Sequence, residues 1–504
     1  MPHASLTVDP SFVVGAVDRR LFGSFVEHLG RAVYDGIYEP AHATADEDGF
    51  RKDVIELVRE LGVSTVRYPG GNFVSGYRWE DGVGPVADRP RRLDLAWHSL
   101  ETNEIGLDEF ARWSAKAGTE LMLAVNLGTR GVQEALDLLE YANVRSGSTL
   151  ADLRVANGTP DPHGVVLWCL GNEMDGPWQL GHRSADDYGK LAAQTARAMR
   201  QLDPGVRLIA CGSSNRQMPT FGAWERTVLE HTYDEIDYLS CHAYYHETPG
   251  DLPGFLASPV DMDRFIESVA ATIDHVRALR PGRRRVDISF DEWNVWYVDR
   301  YHDEDKVTDP QVWPVAPRIL EDSYTVADAV VVGGLLMSLL RHADRVTAAS
   351  MAQLVNVIAP IMTEPGGPSW RQTTFFPFAT TSRLARGETL SVSVAGPTYS
   401  TAAYGDVPLV DAVATHDAAA GSTAVFLVNR SVDASATVSV DVSRAPGATS
   451  VAEAVTLWDD DPHARNTLDQ PNRVGLRPTP SAVVDGGELR VTLPPVSWTA
   501  VSLG

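Results

Sequence analysis

Between about residue 20 and residue 355, short apolar runs alternate with segments of helical periodicity, and this alternation limits the fold more than any other feature of the chain. The strand-like runs are LFGSFVEH (21–28), VSTVRYP (63–69), ELMLAVN (120–126), VVLWCLGNE (165–173), RLIACGSS (207–214), YLSCHAYY (238–245), VDISFDE (286–292) and VTAASMAQLV (346–355). Helix-like segments at 51–61, 107–117, 132–142, 184–201, 222–232, 261–280 and 323–342 separate them. In the first of these, Val54, Ile55, Leu57, Val58 and Leu61 recur at spacings of three and four, the stripe of a helix with one buried face. Asp108 and Ser184 are the expected start signals of two of the helices. Eight strands with intervening helices predict an α/β fold of repeated βα units, a (β/α)8 TIM barrel, with a doubly wound open sheet as the alternative.

Beyond about residue 385 the helical period disappears. Val, Thr, Ser and Ala alternate in short runs broken by Gly, Pro, Asn and Asp, as in TAVFLVNRS (423–431), ATVSVDVSR (436–444), GELRVTLP (487–494) and SWTAVSL (497–503). That texture predicts a C-terminal antiparallel β-sandwich of jelly-roll-like type. The expected division is a catalytic barrel over 19–384 and a sandwich over 385–504, joined by the strand-like segment 1–18. A chain of 504 residues exceeds the roughly 250–300 residues at which single cores stop growing, so two domains are also expected from length.

Charge narrows the partners. A formal net charge of −24 disfavours nucleic acid and anionic membrane surfaces, both of which select basic patches, and leaves neutral ligands unaffected. The start of the chain, MPHASLTVDP, lacks the apolar run of a secretory signal, and the apolar stretch Ala329 to Leu340 is too short to span a bilayer. Cys169, Cys211 and Cys241 cannot build a disulfide framework and read as buried thiols. A cytoplasmic location is expected.

Barrel enzymes work at the C-terminal ends of their strands. Here those ends carry Glu27 and His28; Arg67, Gly71 and Asn72; Asn126; Asn172 and Glu173; Ser213, Ser214 and Asn215; His242 and Tyr244; Asp291, Glu292 and Asn294; Gln353 and Asn356. Carboxylates and amides in this number suit a polyol substrate and an oxygen leaving group. Cleaving a glycosidic bond with retention needs two carboxyl groups about 5–5.5 Å apart, one nucleophile and one acid/base. Glu173 in WCLGNEMDGPWQ and Glu292 in SFDEWNVWY are the expected pair. Strict strand alternation would send Asn172 and Glu173 to opposite faces, so a turn or bulge must begin there, and Gly171 permits one.

The strings FGSFVEHLGR, VRYPGGNF, LGNEMDGPWQLGH, HAYY, SFDEWNVWY and AQLVNVIAP follow one another in this chain as they do in glycoside hydrolase family 51, which the sequence resembles over nearly its whole length. The resemblance implies an exo-acting retaining α-L-arabinofuranosidase with Glu173 as acid/base and Glu292 as nucleophile. It further implies Glu27, Asn72, Asn172, Tyr244 and Gln353 as contacts to the terminal furanose, and a homohexameric assembly. Expected substrates are arabino-oligosaccharides and fragments of arabinoxylan or arabinan. Trp97 and Trp296 are candidate platforms for a sugar face, and His242 is placed among the substrate-binding residues. Trp178 and Trp293 read as packed aromatics, and Asp175 and Asp291 as structural hydrogen-bond partners. His242, His246 and Glu247 resemble metal ligands by type but lack a third well-spaced ligand, so no metal or cofactor is expected. The alternatives are another retaining glycosidase of the same clan, an endo-glucanase or xylosidase, and a carbohydrate-binding protein without catalysis.

Overall fold

A computed structural model describes residues 1–504 apart from Pro281 and Arg283. Strands β1 (His3–Thr7) and β2 (Val13–Ala16) precede the barrel, which begins with β3 (Gly23–Phe25) and β4 (Thr65–Tyr68). A hairpin of β5 (Arg92–Asp94) and β6 (Ser99–Glu101) is inserted next. The barrel then continues through β7 (Glu120–Val125), β8 (Leu167–Leu170), β9 (Arg207–Ala210), β10 (Tyr238–Tyr245), β11 (Asp287–Val295) and β12 (Val346–Ala352). Every neighbouring pair of the eight barrel strands is parallel, and β12 closes onto β3 through Ser350 opposite Gly23 and Ala352 opposite Phe25. The eight strand-like runs are therefore the eight staves of a closed barrel.

The crossover helices form for the reasons their sequences suggest. Lys52–Leu61 buries Val54, Ile55, Leu57, Val58 and Leu61, and stops at Gly62, whose φ of 76° lets its N–H return to Val58 and Arg59 carbonyls. Ser184 caps Ala185–Leu202, its Oγ accepting from the Asp187 N–H. Asp108 lies in the first turn of Leu107–Ala117, where it accepts from Tyr141 Oη and contacts the His163 ring, and Glu109 closes the helix start by accepting from the Gly106 N–H. Four α-helices among the described residues went unmarked in the sequence: Thr149–Ala156, Phe375–Leu384 and the short Leu252–Leu256 and Val298–Arg300.

The C-terminal region forms two main sheets, one of seven strands that includes β2 and one of four that includes β1, and a separate hairpin of Thr398–Thr401 and Gly405–Pro408. The segment 1–18 thus supplies a strand to each. One feature departs from an all-antiparallel sandwich: β1 runs parallel to Ala436–Asp441, with Ala4 opposite Val438 and Leu6 opposite Val440. Helix Val326–Arg341, buried along nearly its whole length, lies between barrel and sandwich. Gly333 makes room there for Trp498, since a Cβ on it would sit 2.2 Å from the indole Cδ1. Arg341 bridges Asp263 of the barrel and Asp411 of the sandwich, which also pairs with buried Arg430. Among the described residues, no helix is long and apolar enough to cross a membrane.

Candidate active site

Two backbone irregularities bring the acids together. Strand β8 ends at Leu170, and the chain turns through Gly171 at φ 94° and Glu173 at φ 43°. A left-handed conformation at a glutamate costs roughly 1–2 kcal/mol, and this turn is what lets Asn172 and Glu173 serve one site despite strand alternation. On β11 the register against β12 slips between Phe290 and Trp293, a bulge that falls on Asp291 and Glu292. Carboxylate oxygens of Glu173 and Glu292 come within 4.8 Å of each other, close to the separation that retention requires.

Glu292 is 7 % exposed and held on both oxygens. Arg67 Nη1 donates to Oε1 at 2.6 Å and Tyr244 Oη to Oε2 at 2.7 Å. Burial, together with the charge of Glu292, raises the Tyr244 phenol well above its ordinary range, so it stays a donor. Arg67 Nη2 donates to Asn172 Oδ1 at 2.7 Å, which fixes the amide with its N–H2 toward Asn72 Oδ1, 3.5 Å away. Glu173 is 11 % exposed; its Oε1 meets His242 Nδ1 at 2.9 Å and its Oε2 accepts from Trp178 Nε1 at 2.7 Å.

Glu27 is buried opposite this pair. Its Oε1 accepts from the Phe73 N–H and from Trp97 Nε1, both at 2.9 Å, and its Oε2 accepts from Gln353 Nε2 at 3.2 Å. Gln353 Oε1 in turn accepts from the Glu27 N–H. Burial outweighs these donors and pushes the Glu27 carboxyl up to about 8. The Gly70–Gly71 turn presses against both acids: a Cβ on Gly70 would stand 2.7 Å from Glu27 Cγ, and one on Gly71 would stand 3.0 Å from Glu292 Oε1. Trp296 packs its ring edge-on against Tyr244 at 5.0 Å.

The structure therefore gathers Glu173, Glu292, Asn172, Asn72, Tyr244 and His242 around one point, with Glu27, Gln353 and Trp97 joined to each other beside it. Asp175 ties the post-β8 loop to β9 by accepting from Ser214 N and Oγ, and Trp293 is wholly buried. His246 lies against Tyr297 and Glu247 pairs with His463, so neither joins His242. Two residues carry more than the sequence reading gave them. Trp178, read as packed, is half-exposed and bonded to Glu173. Arg67 stood among the strand ends without a role; a buried guanidinium must find an anion, and that was the available signal.

Glu173, His242 and Glu292 also present ligand-type atoms close enough for a cation. Burial opposes charge on His242, but Glu292, Asp291 and Glu173 outweigh it and raise the imidazole to about 10. With a proton on each nitrogen the ring donates to the carboxylates on both of its sides. In the exposed Asp46, Glu47 and Asp48 cluster, Lys116 Nζ already sits on all three carboxylates at 2.7, 3.2 and 2.6 Å.

Residues 57–251 match a family model described as the α-L-arabinofuranosidase 1 domain, and residues 291–497 one described as the α-L-arabinofuranosidase C-terminal domain. The chain is 59% identical over 513 residues to an exo-α-(1→6)-L-arabinofuranosidase of Bifidobacterium longum, covering 99% of this chain and 97% of that one. It is 59% identical over 503 residues to an intracellular exo-α-(1→5)-L-arabinofuranosidase of Streptomyces lividans, covering 99% of this chain and 75% of that one. A solved family 51 α-L-arabinofuranosidase from Bifidobacterium longum superposes with a TM-score of 0.95 at 51% identity, covering 100% of both chains.

Proposed function

Because this chain belongs to the α-L-arabinofuranosidases of glycoside hydrolase family 51, we propose that Glu292 and Glu173 carry out its exo-acting, retaining hydrolysis by double displacement. Glu292, held by Arg67 and Tyr244, attacks the anomeric carbon while Glu173 protonates the departing oxygen. A covalent arabinofuranosyl ester forms on Glu292. Glu173, now an anion, takes a proton from water, and the resulting hydroxide attacks the same carbon and frees Glu292. The observation that carries this reading is the approach of the two carboxylates to within 4.8 Å, on strand ends that no local structure could bring together.

Glu27, Asn72, Asn172, Tyr244, Gln353, Trp97, Trp296 and His242 would bind the terminal ring. Glu27, Asn172 and Gln353 are at most 2 % exposed, which suits a pocket closed around one sugar better than a cleft open at both ends. The substrates proposed are terminal α-L-arabinofuranosyl groups of arabino-oligosaccharides and of arabinan or arabinoxylan fragments. The two relatives of equal identity differ in printed linkage, (1→6) against (1→5), so overall identity does not choose between these. The Streptomyces lividans relative is named intracellular, and a cytoplasmic location belongs to this proposal, as does the homohexamer that the resemblance implies.

Chemical rescue separates the two acids. In Glu173→Ala, aryl arabinofuranosides with good leaving groups should still load Glu292, and azide should restore turnover with an adduct of retained configuration. In Glu292→Ala no ester can form and any azide adduct should be inverted. Swapped results would exchange the roles; rescue of neither variant would remove this pair from the mechanism.

A further inference from the structure

His242 stands opposite Glu292 across the β10–β11 ladder, but the register slips just before them. Ser240 pairs with Ser289 and His242 with Glu292, so two residues of β11 face one of β10. The same stretch is bulged against β12. In consequence two adjacent acids, Asp291 and Glu292, both reach the His242 ring. Nε2 lies 3.1 Å from Asp291 Oδ1, while Nδ1 lies 2.9 Å from Glu173 Oε1 and 3.5 Å from Glu292 Oε2. The other groups around this ring and its partners are Arg67, whose Nε is 3.9 Å from Asp291 Oδ2; Cys169, whose thiol donates to the same oxygen; and Tyr244, which donates to Glu292. Asp291 is 1 % exposed and takes no hydrogen bond from the backbone among those described, so the imidazole is its main partner.

We propose that Asp291 is a positioning residue for the acid/base step: by accepting from His242 Nε2 it keeps the imidazole protonated on both nitrogens, so Nδ1–H always donates to Glu173 Oε1 and the transferable proton of Glu173 is confined to Oε2. This rests on the reading of Glu173 as the acid/base. The alternative arrangement shows why it matters. A neutral ring with its one proton on Nε2 would present a bare Nδ1 to Glu173 and draw the acid's proton onto Oε1, the oxygen facing the buried imidazole. Oε2 is the oxygen away from the buried imidazole, where it accepts from the half-exposed Trp178 indole. With His242 charged, the proton passes from Glu173 Oε2 to the leaving oxygen in the first step. In the second step it passes from water back to Oε2, and His242 keeps both of its own throughout. Burial acts against this charge, but the surrounding Glu292, Asp291 and Glu173 carboxylates overcome it.

The test is Asp291→Asn, read against two substrates and across pH. Methyl α-L-arabinofuranoside, whose alkoxide must be protonated, should lose about 100-fold in kcat/KM, the usual weight of general acid catalysis. 4-Nitrophenyl α-L-arabinofuranoside, which leaves with little help, should lose less than about 5-fold. The basic limb of the pH profile should move down by about one unit or more as His242 loses its counter-ion. Nitrogen-15 NMR of the wild-type protein at pH 8 should find both ring nitrogens of His242 protonated, a readout that does not depend on the variant folding. In a His242→Gln background, whose amide can donate to Glu173 without titrating, adding Asp291→Asn should bring no further shift of the pH limb. Equal losses for both substrates with an unmoved pH profile, or a neutral His242 in the wild type at pH 8, would overturn the proposal. Failure of azide rescue in Glu173→Ala would instead strike the underlying acid/base reading, so the two failures are told apart.

Discussion

Glu27 shows how a single buried carboxyl is made specific. It receives three N–H donors, from Phe73, Trp97 and Gln353, and yet its acid is raised to about 8 because burial costs the anion more than those donors return. Its folded acid therefore holds a proton more tightly than the unfolded chain does, which starts from 4.5. Between these limits the folded state binds more protons, so this group's contribution to stability falls as pH rises from about 4.5 to about 8 and is level on either side. Glu27→Gln removes that titration. Its melting temperature relative to wild type should improve between pH 5 and pH 8 and level off above, while kcat/KM falls about 10-fold or more through loss of a hydrogen-bonding contact to the sugar. Parallel losses of stability and activity at every pH would make Glu27 a structural residue. The sequence could nominate Glu27 because it lies just past a barrel strand, but the shift to about 8 depends on burial by residues from distant segments, which no local pattern encodes.

At the level of elements, the site is made where regular structure fails. The turn after β8 and the bulge on β11 each put two neighbouring side chains to use where an ideal strand would offer one. The first was legible, because Asn172 and Glu173 conflict with alternation and Gly171 stands beside them. The second was not: Asp291 read as a bland neighbour, since only the cross-strand register reveals that it reaches His242. The Gly70–Gly71 turn offers a direct check on such placement. Gly71 has φ −88° and ψ −96°, outside the α region open to residues with a Cβ, so Gly71→Ala should also destabilise the protein by about 1–3 kcal/mol. Its new Cβ would stand 3.0 Å from Glu292 Oε1 and 3.4 Å from Asn172 Nδ2, and a displacement of a few tenths of an ångström to 1 Å there should cost about 10- to 100-fold in kcat/KM. Unaltered kinetics would mean that the turn does not fix the acids. Strand existence was readable from apolar runs, and the helices with one polar face were readable from period. Phe375–Leu384 escaped because FFPFATTSRL gathers most of its apolar residues in the first half and its polar ones in the second, with a proline in its first turn, so it shows no stripe.

Over the whole molecule, the barrel and sandwich share a continuous apolar contact centred on helix Val326–Arg341. Trp498 is wholly buried there against Gly333, and the partly buried Trp458 lies under Arg477. Gly333→Ala should destabilise the protein by about 1–3 kcal/mol by overpacking this seam, measurable in urea, while leaving the chemistry of the remaining folded enzyme intact. A sandwich that held on to arabinan by itself would show that it has a second task. That the N-terminal segment joins the sandwich was suggested by its texture; that it gives one strand to each sheet, and that β1 enters parallel, could not be, because strand pairing and direction follow from the path of the whole chain. The same long-range closure sets Glu173 against Glu292, and the account stands or falls on that encounter. The most direct measurement is mass spectrometry of the protein inactivated with a 2-fluoro arabinofuranosyl donor, which traps the first-step ester. One 2-fluoro arabinofuranosyl unit should be found on the peptide bearing Glu292 in the wild type, and none in Glu292→Ala. A stable adduct on any other residue, or a wild-type product released with inverted configuration, would contradict it.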